Sequence, residues 1–146
     1  ICAVGAVKVS RGVIVDSRYT LVCPEPNWYS RCCTAVHGLT DKDTWNAPSF
    51  GTVWRDWEKW IGGMPVVAHN APFDYGCISA ACRIYGLEPP EAFHCTLAAA
   101  KKSIPKGMLP SKSLDMLCEF FGIPLEHHHN ALDDAEACAK IAMILL

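Results

Sequence analysis

Residues 66–74 read V-V-A-H-N-A-P-F-D. Val66, Val67 and Ala68 make a short apolar run of the kind a buried strand carries. His69 and Asn70 turn the chain, and Pro72, whose fixed φ suits the first turn of a helix, opens a helix. The segment therefore predicts a strand over Pro65–His69 running straight into a helix over Ala71–Tyr85, which Gly86 stops. Asp74, Ile78, Ala81 and Tyr85 lie along one side of that helix. A carboxylate on a mostly apolar face needs a partner, because a buried charge is costly unless it is paired or bound to metal. Asp74 is thus a candidate cation ligand; the plainer alternative is that Asn70 caps the helix and Asp74 complements its dipole.

On the N-terminal side, Ile1–Val9 and Val13–Cys23 read as two strands joined by a turn at Ser10, Arg11 and Gly12. Pro24–Leu39 reads as loop. Pro48 opens a helix in which Phe50, Val53, Trp54, Trp57, Trp60 and Ile61 recur at helical spacing, and Gly62 and Gly63 end it. Tryptophans at that spacing predict a packing face buried against a sheet. On the C-terminal side, Ala92–Cys95 predicts a short strand, Thr96–Ser103 and Ser113–Phe121 two helices, and Asn130–Leu146 the last helix. Opening strands followed by alternating strand and helix imply an α/β fold, a mixed β-sheet flanked by helices. No repeat, low-complexity tract or linker divides residues 1–146, so a single domain is expected.

The entrance to the last helix holds the second constellation, H-H-H-N-A-L-D-D-A over His127–Ala135. Asp134 shares its stripe with Cys138, Ile141 and Leu145, whereas Asp133 shares one with Glu136 and Lys140. Helix geometry thus turns Asp134 inward and Asp133 to solvent. The histidines supply a loop from which one imidazole can face the same site.

Composition bounds the rest. Hydrophobic residues make up 51% and charged ones 19%, a balance that excludes a disordered tail. No apolar run reaches the roughly 20 residues of a membrane span, and no leader pattern opens the chain, so a soluble, cytoplasmic protein with no membrane contact is expected. The nine cysteines have no C-x-x-C spacing; Cys77, Cys82, Cys118 and Cys138 read as small buried hydrophobes in a reducing compartment. The formal net charge of −2 provides no global attraction for nucleic acid. The one basic cluster, Lys101, Lys102, Lys106 and Lys112, is a solvated loop or a grip on phosphates.

V-A-H-N-A-P-F-D followed by H-N-A-L-D-D-A resembles the second and third motifs of the DEDDh 3′→5′ exonucleases, a family that includes the proofreading epsilon subunit of bacterial DNA polymerase III. Three further segments are similar to the family's pattern. Ser113–Ile123 (S-L-D-M-L-C-E-F-F-G-I) resembles its helix before the third motif, and Phe93–Leu97 (F-H-C-T-L) the strand ahead of its D-T-L, with Cys95 where Asp is frequent. Ala35–Thr40 (A-V-H-G-L-T) is similar to its H-G-I-T loop.

The resemblance covers the chain and implies a ribonuclease H-like fold. It also implies two Mg²⁺ or Mn²⁺ ions, a single-stranded nucleic-acid 3′ end, taken as DNA, for substrate, and a DNA polymerase as a partner. It places catalytic and metal-binding roles on Asp74 and Asp134, and the general base on His129. His37, Gly38 and Leu39 fall where the family contacts the terminal nucleotide, and Asn70 and Phe73 where it shapes the pocket; His127 and His128 match nothing required. The family's first motif, D-x-E-T, belongs on a strand ahead of Ile1, so residues 1–146 are expected to form an N-terminally incomplete exonuclease domain, inactive alone. Two rivals stand beside this reading: a non-catalytic nucleic-acid- or polymerase-binding module that keeps the fold, and a histidine- and cysteine-rich metal-storage or redox protein.

Overall fold

The computed structural model describes residues 1–146. The chain opens with a hairpin, β1 (Ala3–Ser10) and β2 (Val13–Leu21), paired antiparallel from Ala3 opposite Leu21 to Ser10 opposite Val13. Arg11 and Gly12 both take positive φ, 51° and 74°, the twist a two-residue hairpin turn needs. Two short helices follow, the first inside the Pro24–Leu39 stretch expected to be loop. Helix α1 (Arg31–His37) starts at Ser30, whose side chain accepts from the Cys33 N–H, and ends at Gly38 with φ 73°. Helix α2 (Asp41–Thr44) starts from a capping box between Thr40 and Asp43. The sequence pattern missed α1 because it buries no residue, so no apolar periodicity marks it.

Helix α3 (Phe50–Ile61) is capped by Ser49, with Pro48 left outside. Its inner face is the expected one: Trp54 and Trp57 are each 3% exposed. All three indole N–H groups find acceptors, Glu88 O for Trp54, Thr20 Oγ1 for Trp57 and Asp16 Oδ2 for Trp60. With Val22, Phe50, Val53 and Cys82 the two buried tryptophans form one core. Strand β3 (Val66–Ala68), helix α4 (Ala71–Tyr85), strand β4 (Phe93–Cys95) and helix α5 (Thr96–Ser103) then alternate, with β3 and β4 paired in parallel. Helices α6 (Leu114–Phe121) and α7 (Ala131–Leu145) complete the chain. Leu114, Leu117 and Cys118 of α6 interlock with Ala100, Ile104, Ala137, Cys138 and Ile141 in a second core.

Within the chain the strands form two separate two-stranded ladders, β1–β2 and β3–β4, where one mixed sheet was expected. What spans them is α7, which packs along β1 and also touches β2 and β3. The approach to β1 is so close that a Cβ on Gly5 would run into the backbone of Ala131 and Leu132, at the start of α7. Gly5 is therefore a glycine for reasons of space, and through it the hairpin fixes where the Asp133–Asp134 turn of α7 begins. Cys77 is a further departure: it lies exposed on α4, while Cys82, Cys118 and Cys138 are buried as expected. No helix is long and apolar enough to cross a membrane.

Candidate active site

The entrance to α7 holds a connected polar network. Asn130 caps the helix, its side chain accepting from the N–H groups of Leu132 and Asp133. His129 sits just before it at φ 73°, a left-handed turn that brings its backbone N–H to both Asp134 carboxylate oxygens, at 3.3 and 3.2 Å. His128 Nδ1 lies 2.9 Å from Asp134 Oδ1, and the two imidazoles stack with centroids 3.8 Å apart. Ligand atoms of His128, His129 and Asp134 all lie within 4.8 Å of one another, a grouping able to hold a metal ion.

The two aspartates differ less than helix phase predicts. Side-chain exposure is 28% for Asp134 and 35% for Asp133, and Asp133 is engaged rather than freely solvated: its Oδ2 is 2.9 Å from His127 Nδ1. The stripe behind Asp134 is the buried one, with Cys138 and Ile141 at 6% and 0% exposure. Helix periodicity could not reveal that His128 is the imidazole on Asp134, because the left-handed turn at His129 decides which ring faces the helix.

Asp74 occupies the first turn of α4 and is half-buried. It takes part in none of the chain's ion pairs. Burial raises its carboxyl above the ordinary carboxylate range, opposed only by its own backbone N–H. Asn70 precedes it at φ 66°, and, against the plainer alternative in which it caps the helix, its side chain makes no capping hydrogen bond. In that left-handed geometry Asn70 serves α4 through its backbone, its carbonyl accepting from the Phe73 N–H at 2.9 Å. The Phe73 ring is 68% exposed.

Helices α4 and α7 both pack against β3, and their entrances are linked electrostatically. The charge of Asp74 reaches Cys138, one turn beyond Asp134, and burial first, with that charge adding, pushes the Cys138 thiol up to about 11. The charge of Asp134 in turn reaches His69, which precedes Asn70. His69 is tied down at both nitrogens, Nδ1 to Thr96 Oγ1 at 2.9 Å and Nε2 to the Lys112 carbonyl at 3.0 Å. Because a carbonyl only accepts, Nε2 carries the proton, and the Thr96 hydroxyl donates to Nδ1 of the neutral ring. Desolvation lowers the His69 pKa, against the opposing pull of the Lys112 carbonyl and of Asp115 and Asp134.

Cys95 stands at the N-cap of α5, its sulfur accepting from the Ala98 N–H at 3.4 Å. Burial raises this thiol, but the N–H groups of Ala98, Ala71, Asn70 and Leu97 outweigh burial and leave its pKa lowered. His37, Gly38 and Leu39 form a separate corner. His37 Nδ1 accepts from the Leu39 N–H at 3.0 Å, and its Nε2 lies 3.9 Å from Cys2 Sγ at the head of β1.

The family model described as Exonuclease (RNase_T) matches residues 1–142. The chain belongs to this exonuclease family. Among relatives of this exonuclease chain, PolC-type DNA polymerase III of Thermotoga maritima is 34% identical over 142 residues, 97% of the chain and 10% of the relative. A putative bifunctional exonuclease/endonuclease protein of Mycobacterium tuberculosis is 31% identical over 147 residues, 100% of the chain and 23% of the relative. The exonuclease chain thus spans about a tenth of the PolC-type proteins. Among solved structures, Exonuclease X in complex with 5′ overhanging duplex DNA superposes with TM-score 0.73 at 24% identity, covering 99% of this chain and 81% of that one. The nuclease domain of 3′hExo, a DEDDh family member bound to rAMP, gives 0.72 at 20% identity, over 90% and 72%. The ribonuclease H-like fold expected from the motifs is therefore the fold of the chain.

Proposed function

We propose that this exonuclease domain removes nucleoside monophosphates from the 3′ end of single-stranded nucleic acid, with DNA as the substrate, using two divalent cations. The observation that carries the proposal is the pairing of two helix entrances, one with an unpartnered, half-buried Asp74 and the other with Asp134 inside a grouping of metal-capable side chains. The donor set fits hard cations in its carboxylate oxygens. Asp74 and Asp134 would hold Mg²⁺ or Mn²⁺, and such ions, when bound, supply positive charge at the scissile phosphate and lower the pKa of attacking water.

The remaining work falls to the chain's own groups. His129, exposed and next to Asp134, takes the proton from the attacking water, and an imidazole suits that role near neutral pH. The His129 N–H and His128 Nδ1 orient the Asp134 carboxylate. His37, Gly38 and Leu39 contact the terminal nucleotide, with the Phe73 ring and Asn70 shaping the pocket. Lys101, Lys102 and Lys106, all exposed, meet the phosphates upstream. The two further carboxylates of the D-x-E-T motif come from a strand that joins the β1–β2 and β3–β4 ladders into one sheet, a reading supported by their present separation. A DNA polymerase as partner and a cytoplasmic setting go with this reading, supported by likeness to PolC-type polymerases and by nine free thiols.

The experiment is product analysis in the protein that carries this chain with its D-x-E-T strand. A single strand labelled at its 5′ end should shorten stepwise and only with Mg²⁺ or Mn²⁺, and His129→Gln should slow single turnover by about 10²–10⁴-fold. Internal cleavage, or turnover unaffected by chelation, would refute the proposal. Tight strand binding with no turnover would favour the non-catalytic module instead.

A further inference from the structure

We propose that Trp28 and Trp45 form a base-stacking platform for the single strand upstream of its 3′-terminal nucleotide. The proposal rests on the nucleic-acid reading above and extends it to a surface outside the motifs. Each indole is 73% exposed, in a chain that buries Trp54 and Trp57 almost completely. An exposed indole on a loose loop means little; these two are mounted on a rigid frame.

The frame is built on Thr44, a polar residue with no exposed surface. Its Oγ1 lies 2.8 Å from the Tyr29 hydroxyl and donates to Asn27 Oδ1 at 3.0 Å. Asn27 Nδ2 donates in turn to the Asp41 carbonyl at 3.0 Å. Trp28 therefore sits between two residues bonded to Thr44, and Trp45 directly follows Thr44. Their backbones are fixed as well: the Trp28 N–H donates to the Pro26 carbonyl at 2.8 Å, and Trp45 closes α2 in helical conformation.

The same frame carries the turn assigned to the terminal nucleotide. Tyr29, one residue from Trp28, meets the His37 ring edge-on at 6.0 Å, and α2 begins immediately after the His37-Gly38-Leu39 corner. A strand whose last nucleotide lies at that corner has both indoles within the same small substructure. The surroundings favour bases over a protein partner. The chain neighbours of the two indoles are polar or small, with Pro26 and Asn27 before Trp28 and Thr44 and Asn46 on either side of Trp45, where a protein partner would need a continuous apolar patch. Exposed Arg31 and Lys42 lie three residues from Trp28 and Trp45, and Lys42 shares the side of α2 that leads into Trp45. An aromatic face beside a cation is the pairing that holds stacked bases next to their phosphates, with little dependence on sequence.

The test is fluorescence anisotropy of a 5′-labelled oligothymidylate dodecamer on the full-length protein in Ca²⁺, with thymidine dinucleotide as competitor. Trp28→Ala and Trp45→Ala should each weaken dodecamer binding by about 5- to 150-fold, the span expected for one stacked base. Dinucleotide competition should be unchanged, the corresponding Phe variants should recover much of the affinity, and thermal midpoints should stay within a degree or two. Equal weakening of dodecamer and dinucleotide, or no weakening in either Ala variant while the wild type binds, overturns the platform and leaves the exonuclease reading in place. No dodecamer binding by the wild type overturns both.

Discussion

Asp74 shows how one side chain carries a cost to the fold. Burial holds its carboxyl pKa above the unfolded value, so at neutral pH the folded protein keeps a charge that its surroundings disfavour. That penalty is present in full above the folded pKa and is relieved as pH falls through it. Replacing Asp74 by Asn removes the charge, so in metal-free protein the variant should melt at a higher temperature than wild type at pH 7 while losing its divalent-metal response. A lower midpoint would mean that the carboxylate stabilises the fold.

His69 has the opposite linkage. Its pKa is depressed below 6.5, chiefly by desolvation, so the unfolded state takes up the proton first as pH falls. The stability that neutral His69 contributes is complete above about 6.5 and is lost as pH falls through the folded pKa. The thermal midpoint should therefore drop on acidification below about pH 6.5, and His69→Gln should be less stable above that pH but flatter below it. Parallel profiles for the two proteins would contradict the assignment. The residue-level pattern showed that Asp74 is held on an apolar face, but not that Asn70 leaves its side chain unused, because a positive φ is a tertiary outcome.

At the scale of elements, the helices with strong terminators were readable to the residue. Gly86 ends α4 and the Cys95-Thr96 step begins α5, both where the sequence put them. α1 was hidden because a helix that rests on the surface leaves no period in the sequence. Helix α6 interlocks with α7 just beyond Asp134, at Ala137, Cys138 and Ile141. Leu117 is fully buried at that contact, and Leu117→Ala should cost about 2–5 kcal/mol in chemical denaturation. Gly5→Ala acts at the other end of the same helix. Its Cβ would displace the start of α7, so divalent-metal affinity should fall together with stability. A Gly5→Ala protein with wild-type metal affinity would show that β1 does not position the α7 entrance.

For the whole molecule, the family and its ribonuclease H-like fold were legible because motifs fall in fixed order around a strand-to-helix turn and a helix entrance. The division into two ladders was not, since strand patterns do not state which strands become neighbours. Two cores, one under α3 and one between α5, α6 and α7, hold the halves, and α7 reaches from the second core to the β1–β2 hairpin. The central claim is that the α4 and α7 entrances together make the metal-dependent centre, with Asp134 rather than its neighbour as the α7 ligand. The direct measurement is the single-turnover rate of mononucleotide release in Mg²⁺ for Asp74→Asn, Asp134→Asn and Asp133→Asn in the protein carrying its D-x-E-T strand. The account predicts near-complete loss for the first two and most activity retained in Asp133→Asn; a greater loss in Asp133→Asn than in Asp134→Asn would contradict it.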